Sequence, residues 1–147
     1  MSKSNAFETA FLALVFNNSN IANVGDATGV RGSSAAGSLY VSLHTADPGE
    51  AGDQSTSEIS YTGYARVAVT RDGSHWTVAG NSVSPAADID FPKSTGGTGG
   101  IITHFGVGTS ASGAGTLLYS GTYTPNQTVA SGVIPRLEMT GTAITED

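Results

Sequence analysis

The sequence predicts an all-β protein, a jelly-roll-like β-sandwich of about eight strands with one N-terminal α-helix. Three observations predict it. Residues 38–44 (Ser-Leu-Tyr-Val-Ser-Leu-His) and 64–71 (Tyr-Ala-Arg-Val-Ala-Val-Thr-Arg) alternate with a period of two, as strands with one buried face do. Hydrophobic residues make up 38% and charged residues 12%, and Gly, Ser and Thr fill the difference, which suits short strands joined by tight turns. Only residues 5–16 carry a strong helical period. At 147 residues the chain is long enough to bury a core of its own, so 1–147 reads as a single domain, with the helix near 5–16 and the sandwich near 38–145.

In the helix, Asn5 and Glu8 have capping-box spacing. Phe7, Ala10, Phe11, Leu14 and Val15 follow at i, i+3, i+4, i+7 and i+8 and are expected to face the sandwich. Leu12 and Phe16 fall outside that stripe, so the helix is apolar around much of its circumference. Asn17 and Asn18 end it, residues 20–24 suggest a further turn, and residues 25–37 form a loose connection. Strands are expected near 38–44, 64–71, 75–79, 87–91, 101–108, 116–124, 127–130 and 134–145.

Leu39, Val41 and Leu43 share one face of the first strand, and Ala65, Val67 and Val69 one face of the second. Arg71-Asp-Gly-Ser74 reads as a hairpin turn, because Asp-Gly tolerates positive φ at both central positions. Trp76 and Val78, then Ile89 and Phe91, each share a face, and Pro92 ends the strand that holds the latter pair. Alternation resumes from Ile101 to Val107 and continues at Leu117 and Tyr119, while Pro135 calls for an edge, a bulge or a kink. Thr95-Gly-Gly-Thr-Gly-Gly100 lacks the lysine and following helix of a phosphate-binding loop and reads as a mobile connection. No internal repeat is present, which argues against a repetitive shaft or solenoid.

The net charge is −6, and the six bases are scattered at Lys3, Arg31, Arg66, Arg71, Lys93 and Arg136. No basic stripe meets phosphates, so neither nucleic acid nor an anionic membrane is expected as a partner. The absence of cysteine removes disulfides and thiolate zinc sites. No apolar run reaches the roughly 20 residues of a membrane span, and the N-terminus lacks the pattern of a signal peptide. The protein is expected to be made in a cytoplasm and to stay soluble or join an assembly.

Candidate chemistry is sparse. His44, His75 and His104 lie far apart, without His-x-His or Glu-x-x-His spacing, and read as surface or network residues rather than metal ligands. Asp47, Glu50, Asp53 and Glu58 form an acidic segment without EF-hand spacing. It reads first as a solvated loop, with a calcium site and a contact patch for a basic partner as the other options. Asp88 and Asp90 imitate a carboxylate pair but fit the wet face of a strand. Tyr61-Thr-Gly-Tyr64 is expected to cover one end of the sandwich with its rings while its hydroxyls reach backbone or water. No catalytic set, metal site or cofactor is expected.

The phrases Leu39-Tyr-Val-Ser-Leu-His-Thr-Ala-Asp-Pro-Gly-Glu-Ala-Gly52 and Glu58-Ile-Ser-Tyr-Thr-Gly-Tyr-Ala-Arg-Val-Ala-Val69 resemble a family of small tailed-bacteriophage and prophage virion proteins. Thr103-His-Phe-Gly-Val-Gly108, Gly113-Ala-Gly-Thr-Leu-Leu-Tyr-Ser-Gly121 and the end Ile144-Thr-Glu-Asp147 extend the resemblance over nearly the whole chain. Members of that family are often labelled tail fibre or minor structural protein, and the size and all-β reading are similar to jelly-roll cement proteins of phage capsids. The resemblance implies a non-enzymatic virion role. The leading expectation is a capsid cement or decoration protein on the outer capsid surface, partnered by the major capsid protein and by itself as a dimer or trimer. Its expected contacts are Phe7, Phe11, Leu12 and Phe16 of the helix and Asp47, Glu50 and Asp53 of the acidic loop. The alternative is a tail-fibre or baseplate component that binds a host surface receptor. A sugar hydrolase built on Asp88 and Asp90 is the third reading.

Overall fold

A computed structural model describes residues 2–97 and 99–146. Thr98, inside the expected 95–100 loop, and the two terminal residues lie outside the described set. The chain runs α1 (Asn5–Asn17), β1 (Ser38–His44), β2 (Val67–Thr70), β3 (Trp76–Ala79), β4 (Ser82–Pro85), β5 (Ile89–Asp90), β6 (Gly100–Gly108), β7 (Leu117–Val129), β8 (Arg136–Leu137) and β9 (Ile144–Thr145). The strands form sheets in the orders β2-β1-β6-β7, β3-β4-β9 and β5-β8, and the pairs β1–β6, β6–β7, β3–β4, β4–β9 and β5–β8 are antiparallel. This is the expected all-β class with a single N-terminal helix, and it is consistent with a β-sandwich. The chain divides into two compact units: Met1–Ser38, Thr70–Ala87 and Thr142–Asp147 form the first, Leu39–Val69 and Asp88–Gly141 the second.

In the first unit α1 packs against β3 and β4. Ser4, not Asn5, is its N-cap, with the hydroxyl accepting from the Phe7 amide at 3.3 Å, so the capping-box register expected from Asn5 and Glu8 is displaced by one residue. At the other end Asn18 takes the left-handed conformation (φ 55°), and the Ser19 amide donates to the Ala13 carbonyl. Arg71 supplies the cation that the last helical turn lacks, donating to the carbonyls of Leu14 (2.7 Å) and Val15 (2.6 Å).

The inward face of α1 is the reverse of the expected one. Glu8, Leu12 and Phe16 are buried, the latter two completely, and the Phe16 ring meets Trp76 edge-to-face at 4.8 Å. Phe7 is 43% exposed. A helix that is apolar on most sides offers several stripes, and periodicity alone does not say which one a sheet takes.

The strand β4 has no counterpart among the expected strands. Its sequence, Ser-Val-Ser-Pro, holds a single large apolar residue, but Gly80-Asn81 is a two-residue hairpin turn, with Ala79 opposite Ser82 and Gly80 at φ 62°. The Thr9 hydroxyl donates to the Gly80 carbonyl at 2.7 Å and fastens the helix to that turn. The hairpin expected at 71–74 does not form, since β2 and β3 belong to different sheets and neither Asp72 nor Gly73 has positive φ. Asp72 instead caps a turn, its carboxylate accepting from the Ser74 amide and its carbonyl from the amides of His75 and Trp76.

In the second unit β7 joins two expected strands into one. It contains the cis Thr124–Pro125 bond, and its residues 123–126 bulge opposite the single residue Thr103 of β6. The hydroxyl of buried Tyr123 donates to the Arg136 carbonyl at 2.6 Å. The expected 134–145 strand separates into β8 and β9, with Pro135 just before β8.

Candidate functional site

The site is built on β1, an inner strand of the four-stranded sheet, and on the loops that follow it. Leu39, Val41 and Leu43 face the core as expected, but Ser42 and His44 on the opposite face are fully buried as well. His44 is held at both ring nitrogens, with Nδ1 2.8 Å from the Thr56 carbonyl and Nε2 2.9 Å from the Ser42 hydroxyl. The carbonyl can only accept, so Nδ1 carries the proton and the hydroxyl donates to Nε2. Burial pushes the imidazole below its ordinary pKa and keeps it neutral. His104 is its cross-strand partner. Ser42 and His44 have the spacing of a nucleophile and its base, but both are enclosed and the third group is a carbonyl where a triad has an acid.

Beside this pair lies a bidentate ion pair. Arg66 donates through Nε to Glu58 Oε1 (2.7 Å) and through Nη2 to Glu58 Oε2 (2.8 Å). The same guanidinium donates to the carbonyls of Ser110 (2.9 Å) and Gly113 (2.6 Å). The Tyr64 hydroxyl donates to Glu58 at 2.8 Å and accepts from the Leu43 amide at 3.1 Å, and burial drives its pKa upward. Gln54, also fully buried, donates to the Tyr40 carbonyl and accepts from the Ser110 amide. Together these residues clamp the 45–58 loop to β1 and to the 109–115 loop. Two glycines of β6 make room for them. A Cβ at Gly108 would lie 2.2 Å from the Gln54 side chain, and one at Gly106 would lie 2.8 Å from both His44 and Ser42.

The outer surface of this clamp is a cleft of about 350 Å³ lined by Asp47, Gly49, Glu50 and Gly52 of the acidic loop and by Leu117, Leu118, Tyr119 and Ser120 of β7. Asp47 and Glu50 are exposed there. Asp53 does not line the cleft. Its carboxylate accepts from the Ser55 amide (2.8 Å) and hydroxyl (2.6 Å), and these bonds hold its pKa below the usual carboxylate range.

The other candidates resolve into structural contacts. Asp90 is paired with Arg136, Nη2 to Oδ2 at 2.9 Å, and Asp88 lies 3.6 Å from the same guanidinium while accepting from the Met139 amide. The two carboxylates therefore share one cation on the exposed face of the β5–β8 ribbon, whose other face buries Ile89 and Leu137. The Tyr61 and Tyr64 rings meet edge-to-face at 5.3 Å; the Tyr61 hydroxyl reaches backbone as expected, donating to the Pro92 carbonyl, whereas that of Tyr64 donates to the Glu58 carboxylate. His75 pairs with Asp72 in the first unit. Among the described residues no group of three or more histidines and carboxylates is placed to hold a metal, and no helix is long and apolar enough to cross a membrane.

Gln54, Glu58, Ser42 and Arg66 are the residues whose roles sequence reasoning missed. The available signal was a lone arginine on the supposed outer face of a strand, preceded by a lone glutamate. Residues 2–145 match the model of a family described as Podophage GP4 fiber I protein gp80. The chain belongs to this gp80 family. The expected kinship with tailed-phage virion structural proteins therefore holds, and the family is one of fibre proteins. No curated protein matches the chain. In this gp80-family member the phrases that carried the resemblance are the ones that build the clamp: His44 and Gln54 in or beside the first, Glu58, Tyr64 and Arg66 in the second, Gly106 and Gly108 in the third.

Proposed function

We propose that the chain is a non-catalytic structural component of a podophage fibre, and that its clamped acidic loop is the face it turns to a receptor on the host surface. The observation that carries the reading is the gp80 family match over 2–145. Three features support it. The polar residues at the site are consumed in internal hydrogen bonds, so the loop is held in one conformation before any partner arrives, which lowers the ordering cost of binding. The face it presents combines two exposed carboxylates, one tyrosine and two leucines around an open cleft. The carboxylate pair Asp88 and Asp90 is bound to Arg136 rather than set across a cleft as a glycosidase would need.

A fibre description favours the tail over the capsid surface, so the receptor-binding alternative now leads and capsid cementing becomes the competing outcome. Immunogold labelling of purified virions with antibody to this chain separates them. The fibre reading expects gold at the tail, with a few to tens of copies per particle. Gold spread over the head, with hundreds of copies, would overturn it in favour of cementing.

A further inference from the structure

We infer that the cleft beside the acidic loop receives a basic side chain of a receptor protein, and that the segment bearing it lies extended along the open edge of β7. The inference rests on the receptor-facing reading of that cleft and adds the class of partner.

Charge selects the side chain. Asp47 and Glu50 are exposed on one wall of the cleft. Among the described residues neither is in an ion pair, whereas Glu58, Asp88 and Asp90 each meet an arginine of the chain. No base lines the cleft, and its opposite wall holds Leu117, Leu118 and Tyr119. Leu118 is the extra residue of a bulge, lying between the pairs Gly108–Leu117 and Val107–Tyr119, and it is 39% exposed. A lysine or arginine suits both walls, with its stem on the leucines and its head at the carboxylates. A cleft of about 350 Å³ is near the lower end of ligand sites, which suits one long side chain. A phosphate or an acidic sugar would meet two carboxylates with no cation to offset them.

The strand selects the main chain. β7 ends the order β2-β1-β6-β7, so its other edge pairs with no strand among the described residues. Between the bulge at Leu118 and the one at 123–126, Tyr119–Thr122 pairs in unbroken register with β6 from Val107 back to His104. Exposed edges are commonly guarded by lysine, but β7 has no charged residue, so it would not repel a basic segment. An extended peptide can match the alternating donors and acceptors of such an edge, with a side chain in the adjoining cleft. A sugar matches no such row. Four residues of edge offer few bonds, so the cation in the cleft carries much of the selectivity.

Panning a random peptide library on the full chain, then titrating the strongest selected peptide by fluorescence anisotropy, tests this. Selected peptides are expected to carry Lys or Arg among β-forming residues. Asp47→Asn with Glu50→Gln should weaken the strongest at least about tenfold. N-methylation of its alternate amides should abolish binding in one of the two possible registers and spare it in the other, because a strand turns alternate amides to opposite sides. No peptide above background, selection of peptides without a base, or equal effects in the two registers overturns the inference. Slowed adsorption of phage carrying the double variant, with no peptide selected, keeps the receptor face and overturns this partner. Selected peptides with unchanged adsorption overturn the receptor-facing reading and leave the peptide site.

Discussion

Arg66 and Arg71 stand five residues apart in one run, yet they work on different kinds of problem. Arg66, in the second unit, is enclosed with a carboxylate and two loop carbonyls, so its charge is matched inside the protein. Arg71, in the first unit, donates to the carbonyls of Leu14, Val15 and Ala36 and to the Ser33 hydroxyl, with no carboxylate among these partners. The contrast extends to their surroundings. The second unit buries polar side chains to fix a loop, whereas the first buries Leu12 and Phe16 of an apolar helix, Phe16 against Trp76.

The two arginines should therefore differ in what their loss costs. Arg66→Ala strands Glu58 and two loop carbonyls in a buried setting, and a loss of about 3–5 kcal/mol in denaturant unfolding is expected. A cost under about 1 kcal/mol would mean that the ion pair behaves as a surface pair. Arg71→Ala removes a charge-assisted cap whose carbonyls can turn to water, and about 1–2 kcal/mol is expected, with faster amide exchange confined to the last turn of α1. Equal losses at the two positions would erase the distinction.

The smallest effect is expected from pH. His44 has a folded pKa below its unfolded value of about 6.5 because it is buried, and Arg66 and His104 add to the lowering while the Thr56 carbonyl and Glu58 oppose it. The unfolded chain therefore binds more protons in this range. His44's contribution is fully present above about pH 6.5 and is lost as pH falls toward the folded pKa, at no more than about 1.4 kcal/mol per pH unit. Unfolding curves across that window should show the slope in the wild type and lose it in His44→Gln. A slope that persists in the variant would assign it elsewhere.

Strands with a clear alternation were legible, and β1 has the boundaries its pattern predicts. The helix was legible as a helix but not as an orientation, because its apolar residues cover more than one side. β4 was not, because Ser-Val-Ser-Pro has too little alternation and its existence follows from the turn at Gly80-Asn81. The clamp was the least legible part. Arg66 joins Glu58 to the carbonyls of Ser110 and Gly113, and contacts across such separations leave no period in a sequence. Asp47 and Glu50 were legible as an exposed acidic pair, whereas Asp53 was not distinguishable from them until its bonds to Ser55 were seen.

In the proposed receptor-facing role, the buried clamp holds the 45–58 loop so that its outer carboxylates can meet a partner. Host-cell adsorption of phage carrying Asp47→Asn with Glu50→Gln, a protein expected to melt as the wild type does, tests it most directly. Adsorption at least about tenfold slower is expected. Unchanged adsorption by a stably folded double variant would contradict it.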